Sequence, residues 1–160
     1  MTPMASAVVP RGLSKSDIET ADSPQRTQRT QDIAAAAINR LTGTIVDCSM
    51  MVHTHLGPGL LESAYHACLL QELRWRGLMV ESHVALPLMY KGVFVDIGYR
   101  IDLLVEQEVI VELKSVERIH PIHEAQLLSY LKLKNRRVGL LINFNVVHFK
   151  DGIRRMVNGL

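Results

Sequence analysis

Residues 1 to about 32 are rich in Ser, Thr, Gln, Pro and Arg and keep no hydrophobic period, which predicts a flexible tail ahead of a single domain over residues 33–160. From Ile38 the pattern changes. Ile38, Leu41, Ile45, Cys48, Val52 and Leu56 recur at three and four, the stripe of an amphipathic helix, and Gly57-Pro58-Gly59 stops it. A second helix is predicted from about Leu60 to Arg76, with Leu61, Ala64, Tyr65, Cys68 and Leu69 inward and Gly77 as its C-cap. Three extended segments follow: Val80 to Tyr90, Val93 to Val105 and Val109 to Lys114, with a turn at Lys91-Gly92 and a break at Gly98. Pro121 suits a helix start, and a helix to about Asn135 places His123, Gln126, Leu127 and Tyr130 on one side. Val138 to Phe144 is a nearly continuous apolar run after that helix, the mark of a buried strand reached by a crossover. The order α-α-β-β-β-α-β predicts an α/β fold with a mixed sheet of about four strands flanked by helices.

Composition narrows the setting. With 48% hydrophobic residues over 160 positions, one core can form without disulfides or metals to staple it. The longest run free of Asp, Glu, Lys and Arg is fourteen residues, Cys48 to Leu61, too short for a transmembrane helix, so no membrane partner is expected. The first residues carry neither the basic start nor the apolar segment of a secretory signal, and a cytoplasmic setting is expected. Cys48 and Cys68, both in apolar helical patterns, are expected as buried thiols. The net charge of +2 hides an asymmetry: residues 62–112 carry a net −4 and residues 113–160 a net +6. An acidic patch beside a basic one suits a metal-dependent enzyme acting on a polyanion, although ordinary solvated faces give the same counts.

The candidate chemistry sits in the extended segments. Along Val109 to Lys114 the two-residue period sends Val109, Val111 and Leu113 to one face and Ile110, Glu112 and Lys114 to the other. If Glu106-Gln107-Glu108 is a three-residue hairpin loop, Val105 faces Val109, and counting back puts Asp102 opposite Glu112 and Arg100 opposite Lys114. A different loop length separates the two acids. Directly opposed Cβ atoms lie about 5 Å apart, where two like charges repel by roughly 3 kcal/mol at an effective dielectric of 20. A divalent cation offsets this repulsion; so does a bridge from Lys114 or a proton shared between the pair. The spacing Asp102-x9-Glu112-x-Lys114 alone is common by accident in a chain of this composition.

Its company is more specific. Gly59-Leu60-Leu61-Glu62-Ser63-Ala64-Tyr65, then Gly98-Tyr99-Arg100-Ile101-Asp102-Leu103-Leu104-Val105, Val111-Glu112-Leu113-Lys114 and His123-Glu124-Ala125-Gln126-Leu127-Leu128-Ser129-Tyr130-Leu131 occur in order. Gly139-Leu140-Leu141-Ile142-Asn143-Phe144 and Lys150-Asp151-Gly152-Ile153-Arg154-Arg155 follow. From about Ile38 to Val157 the chain closely resembles the GxxExxY family, a branch of the PD-(D/E)XK nuclease-like superfamily. The resemblance implies a restriction-endonuclease-like core. It assigns Glu62 to the acidic position on the first core helix, completing a metal's shell directly or through water, Asp102 and Glu112 to the metal-binding carboxylates, Lys114 to the lysine beside the attacking water, and Gln126 and Tyr130 to the Gln-x3-Tyr element of related exonuclease branches. Where superfamily members often carry Pro before the aspartate, this chain has Ile101.

These readings imply a Mg²⁺- or Mn²⁺-dependent nuclease acting on DNA. A second hypothesis keeps the fold as a catalytically silent nucleic-acid-binding or assembly module, and a protein partner or second copy stays open. Arg100, Lys132, Lys134, Arg136 and Arg137 are the candidate nucleic-acid contacts, with a solvated helix end as the alternative for the last four. Glu62 has an alternative as a first-turn helix acid, and Gln126 and Tyr130 as polar edges of a packed helix. Seven scattered His give only His120-x2-His123 a suggestive spacing, without Cys, which disfavours a zinc site. Aromatic residues are 5% of the chain, which argues against a stacking platform for single strands.

Overall fold

A computed structural model of the chain describes residues 24–96 and 98–159; the portion of the expected tail before residue 24 lies outside them. Helix α1 (Pro24–Leu56) starts inside the stretch expected to be tail. Its residues 24–37 are all exposed, and burial begins where the period begins: Ile38 is half-buried, and Ile45, Cys48 and Val52 are buried. The chain divides between Ala35 and Ala36 into two units, and the fold belongs to the second. Among the described residues no helix is long and apolar enough to cross a membrane.

Helix α2 (Glu62–Trp75) follows the Gly-Pro-Gly break. Tyr65, Leu69 and Leu73 are its buried stripe, and the Tyr65 ring stacks on Phe144 with centroids 4.6 Å apart. Such a pair adds about 0.5–1.5 kcal/mol to the burial itself. Leu61, expected inward, is 78% exposed, because it is the N-cap rather than a member of the helix. Cys48 is buried and Cys68 half-buried, both as free thiols.

The sheet is richer than the pattern suggested. Among the described residues seven strands form, five of them in the mixed sheet where about four were expected: β1 (Val80–Ala85), β2 (Leu88–Tyr90), β3 (Val93–Val95), β4 (Arg100–Val105), β5 (Val109–Lys114), β6 (Val138–Asn143) and β7 (Ile153–Val157). The segment Val80 to Tyr90 breaks at Leu86-Pro87, since proline has no N–H for the ladder. β2 and β3 then pair only with each other, as a separate two-stranded hairpin. The main sheet has the order β1-β4-β5-β6-β7, with β5 and β6 parallel and the other pairs antiparallel. Helix α3 (Pro121–Lys134) is the crossover between the parallel strands. β7 closes the edge after a 3-10 turn at Phe149–Gly152, and its Arg154 and Arg155 keep that edge charged.

Two cores form, one on each face. α1 and α2 pack on Leu103, Val105, Val109, Val111, Leu113, Leu140 and Ile142; α3 packs through Leu127, Tyr130 and Leu131 on Ile101, Leu104, Ile110 and Leu141. The alternation along β5 is the one the sequence predicts. β4 departs from it: Ile101 leaves Leu103 and Val105 and joins Leu104 on the α3 side. Across from this break His83 of β1 takes a left-handed φ of 53°, and the β1–β4 register passes from Ser82↔Leu103 to Val84↔Ile101 without pairing it. The register is the same on both sides, so no residue is inserted, and the pair left out of the ladder is His83 and Asp102.

Candidate active site

The hairpin between β4 and β5 sets the register. Glu106 and Gln107 both adopt left-handed φ, 51° and 56°, and Val105 faces Val109 across the three-residue loop, the register the sequence suggested. Pairing runs through Leu104↔Ile110 to Leu103↔Val111, where the ladder ends. At Asp102 the side chain takes over from the backbone: Oδ2 accepts the Leu113 N–H at 2.8 Å. A carboxylate thus takes the hydrogen bond of a strand that has turned away, and it is held beside Glu112.

Glu112 lies on the α3 face of β5 and is 3% exposed. Lys114, two residues on and on the same face, donates from Nζ to its Oε1 at 3.1 Å. Oε2 is buried without any hydrogen-bond partner. Burial, then the neighbouring Asp102 charge, push the Glu112 carboxyl up to about 7 against the pull of Lys114; the more distant Glu62 adds to the rise. Desolvation tends to lower the Lys114 pKa, but the acids around it, Glu112 first and then Glu62 and Asp102, outweigh it and leave the ammonium held above its ordinary value. Lys114 is therefore a fixed positive charge at neutral pH.

Glu62 opens α2 from the opposite side of the sheet. Burial raises its pKa and Asp102 adds to the rise, opposed by Lys114, by the Ser115 backbone N–H and by His66. Its position is fixed by the turn before it. Tyr65 Oη donates to Gly57 O at 2.7 Å and accepts the Leu60 N–H at 3.1 Å, while Ser115 Oγ donates to Leu60 O at 2.6 Å. The Tyr of the Gly-x-x-Glu-x-x-Tyr run is buried, as expected, and its hydroxyl also ties the turn that presents Glu62. On α3, one turn apart, Gln126 Nε2 donates to Tyr130 Oη at 2.8 Å. Desolvation raises the Tyr130 pKa, and the charges of Glu112, Lys114 and Asp102 are all felt there. Glu62, Asp102, Glu112, Lys114, Gln126 and Tyr130, spread over two helices and two strands, share one electrostatic neighbourhood.

The expected basic contacts divide. Arg100 is exposed at the start of β4, on the Asp102 end of the sheet. Lys132 and Lys134 close α3, and Arg136 and Arg137 precede Val138, which pairs with Val109. Lys114 pairs instead with Asn143, at the other end of the same two strands. At about 3.3 Å per residue, five residues of strand put the basic group roughly 16 Å from Lys114. The reason is topological: a crossover helix runs back against its strands, so its C-terminus lies at the end away from the site.

Several residues at the site were not singled out from the sequence. His66 approaches the Asp102 carbonyl at 3.2 Å and stacks on His83 at 4.4 Å. Its signal was available, since it stands one helical turn after Glu62. Asn143, 1% exposed, donates to Val116 O at 2.8 Å and accepts the Val116 N–H at 3.0 Å, anchoring the segment just after Lys114. A polar residue ending an apolar strand was its mark. His120 and His123 make a local contact at the start of α3, where the His120 N–H donates to His123 Nδ1 at 3.2 Å.

The donor chemistry fits a hard divalent cation: carboxylate oxygens, one of them buried and unpartnered, around a net negative charge. As the side chains stand, no three His, Cys, Asp or Glu among the described residues gather round one point. Asp102 Oδ2 is engaged by Leu113 and Glu112 Oε1 by Lys114. Glu112 Oε2 and the second Asp102 oxygen are the groups left to hold such an ion.

No curated protein and no solved structure matches the chain. A family model does, over residues 39–156, a span that takes in α2, β1 to β6, α3 and β7 up to Met156. A helix-borne acid, an aspartate at a strand break and a Glu-x-Lys on the neighbouring strand thus fall within the matched span, and the chain belongs to the PD-(D/E)XK nuclease superfamily.

Proposed function

We propose that this protein is a divalent-metal-dependent nuclease that hydrolyses phosphodiester bonds in DNA, of the GxxExxY branch, working in a cytoplasmic setting. The observation that carries the reading is the buried Glu112 Oε2 left without a hydrogen-bond partner in a place where the charges of Glu62, Asp102, Glu112 and Lys114 all act on one another. Such a group costs free energy where it stands, and a cation is the ligand that relieves both the orphaned oxygen and the repulsion from Asp102.

Asp102, Glu112 and the Leu113 carbonyl would hold Mg²⁺ or Mn²⁺, with Glu62 completing the shell. When bound, the ion supplies positive charge to the phosphoryl oxygen and makes water more acidic. The acids around Lys114 hold its ammonium charged. It donates hydrogen bonds, orienting the water and stabilising negative charge as it develops on the phosphoryl group. Tyr130 stays neutral and Gln126 fixes its hydroxyl, so this pair braces the site. Arg100 stands nearest among the basic candidates to meet the strand backbone.

One observation favours the second reading, a silent binding or assembly module: Glu112 and Lys114 already satisfy one another in part. Labelled single- and double-stranded DNA and RNA, incubated with Mg²⁺, Mn²⁺ or chelator and compared with Glu112→Ala, separate the two. The nuclease reading expects metal-dependent turnover lost in the variant. Turnover unchanged in Glu112→Ala refutes it, and DNA binding with no turnover supports the module.

A further inference from the structure

Beside the acidic cluster, a cleft of about 440 Å³ opens between α3 and the residue preceding β4. Tyr99, Ile122, Ala125, Gln126, Ser129 and Tyr130 line it. Its volume lies within the ~300–1,000 Å³ of small-ligand sites. None of the six residues is charged, so the cleft offers no countercharge to a phosphate; the charges lie next door, at Lys114 and the carboxylates. What it offers is two aromatic rings, the exposed aliphatic side chains of Ile122 and Ala125, and an amide and a hydroxyl.

The rings have different freedom. Tyr130 is 4% exposed and fixed by Gln126, whereas Tyr99 is 46% exposed with its centroid 6.1 Å from that of Tyr130. A half-open ring beside a fixed one suits a flat partner with a π-face to stack and polar edges to bond, which is the chemistry of a nucleobase. Aromatics are only 5% of the chain, yet the fold brings two of them to this one cleft. We infer that the Tyr99–Tyr130 cleft is a nucleobase subsite that seats one unpaired base beside the reacting phosphate, so that the substrate is a single strand or a frayed end. A base inside a duplex is stacked and paired on both sides and cannot enter without being extruded. The identity of the ligand rests on the nuclease reading.

The test is fluorescence anisotropy in chelator, where hydrolysis is off. The probes are a labelled single-stranded DNA, its blunt duplex, and strands carrying an abasic site at each position in turn. Stacking on an aromatic side chain predicts that Tyr99→Ala weakens single-strand binding roughly 5- to 150-fold. Tyr99→Phe keeps the ring and retains binding, and the blunt duplex is insensitive to both. One abasic position costs the wild type a similar factor and costs Tyr99→Ala nothing more. Equal single-strand binding by wild type and Tyr99→Ala, no binding at all, or an equal Tyr99 dependence on blunt duplex overturns the inference. Hydrolysis is measured apart from binding. Tyr99-dependent binding without metal-dependent cleavage refutes the nuclease reading and leaves the subsite; cleavage without Tyr99 dependence does the reverse.

Discussion

Replacing Glu112 by Gln removes a charge that the fold holds at a cost, and the size of that cost follows from the site. The carboxyl is 3% exposed and lifted from 4.5 to about 7. Each pKa unit is worth ~1.36 kcal/mol, so ionised Glu112 costs the metal-free fold about 3 kcal/mol. Because the folded-state pKa lies above the unfolded value, the folded protein holds this proton more tightly than the unfolded chain does. The cost is absent below the unfolded pKa, grows as pH rises, and is complete once pH passes about 7. Gln keeps the shape and carries no such term. Loss of the Lys114 ion pair adds an offset, but Lys114 stays protonated across the range, so that offset has little slope. Urea unfolding followed by circular dichroism in chelator, from about pH 5 to about pH 8.5, reads the difference. Glu112→Gln gains roughly 2.5 kcal/mol on the wild type across that interval. Parallel curves for the two proteins would refute the placement of Glu112 as a buried carboxyl beside Asp102.

The same carboxylate must ionise to hold a cation, so Mn²⁺ affinity measured by calorimetry rises by up to about tenfold per pH unit below 7 and levels off above it; a flat profile places the ion elsewhere. Lys114→Ala lowers kcat by ~10²–10³-fold with Mn²⁺ affinity kept, as for the loss of one stabilising donor. An equal fall in metal affinity makes Lys114 a structural charge. Tyr65→Phe strands the Leu60 N–H and Gly57 carbonyl it bridges and costs ~1–3 kcal/mol in urea unfolding; an unchanged midpoint means the hydroxyl does not hold the turn. A Cβ at Gly152 meets the Asn143 backbone carbonyl, whereas one at Gly139 meets only the Leu127 side chain, at 2.8 Å. Gly152→Ala should therefore unfold at lower urea than Gly139→Ala, whose overpacking costs ~1–3 kcal/mol.

Much of the architecture was legible because hydrophobic period is a local property. The α1 stripe from Ile38, the buried run Val138 to Phe144 and the alternation along β5 are all written in the spacing of apolar residues. The hairpin register was legible for the same reason, once three loop residues were taken to join β4 and β5. β7 was not, since Ile153-Arg154-Arg155-Met156-Val157 has two adjacent charges and no clean alternation; it is a strand because β6 offers it an edge. The turn at Lys91-Gly92 was legible, but the separation of β2 and β3 into a hairpin of their own was not, because the proline break divides a segment that reads as continuous.

Sequence alone determined which residues were available for chemistry and roughly where each sat on its own element: Glu62 in a first turn, Glu112 and Lys114 on one face, Gln126 and Tyr130 a turn apart. Tertiary structure decided which of them meet. It turned Asp102 toward Leu113 at a break in β4, left Glu112 Oε2 without a partner, and carried Lys132 to Arg137 to the far end of the sheet. The physical reason is range. Period and propensity act over a few residues, whereas burial and charge–charge coupling depend on distances between elements that only the packed fold establishes.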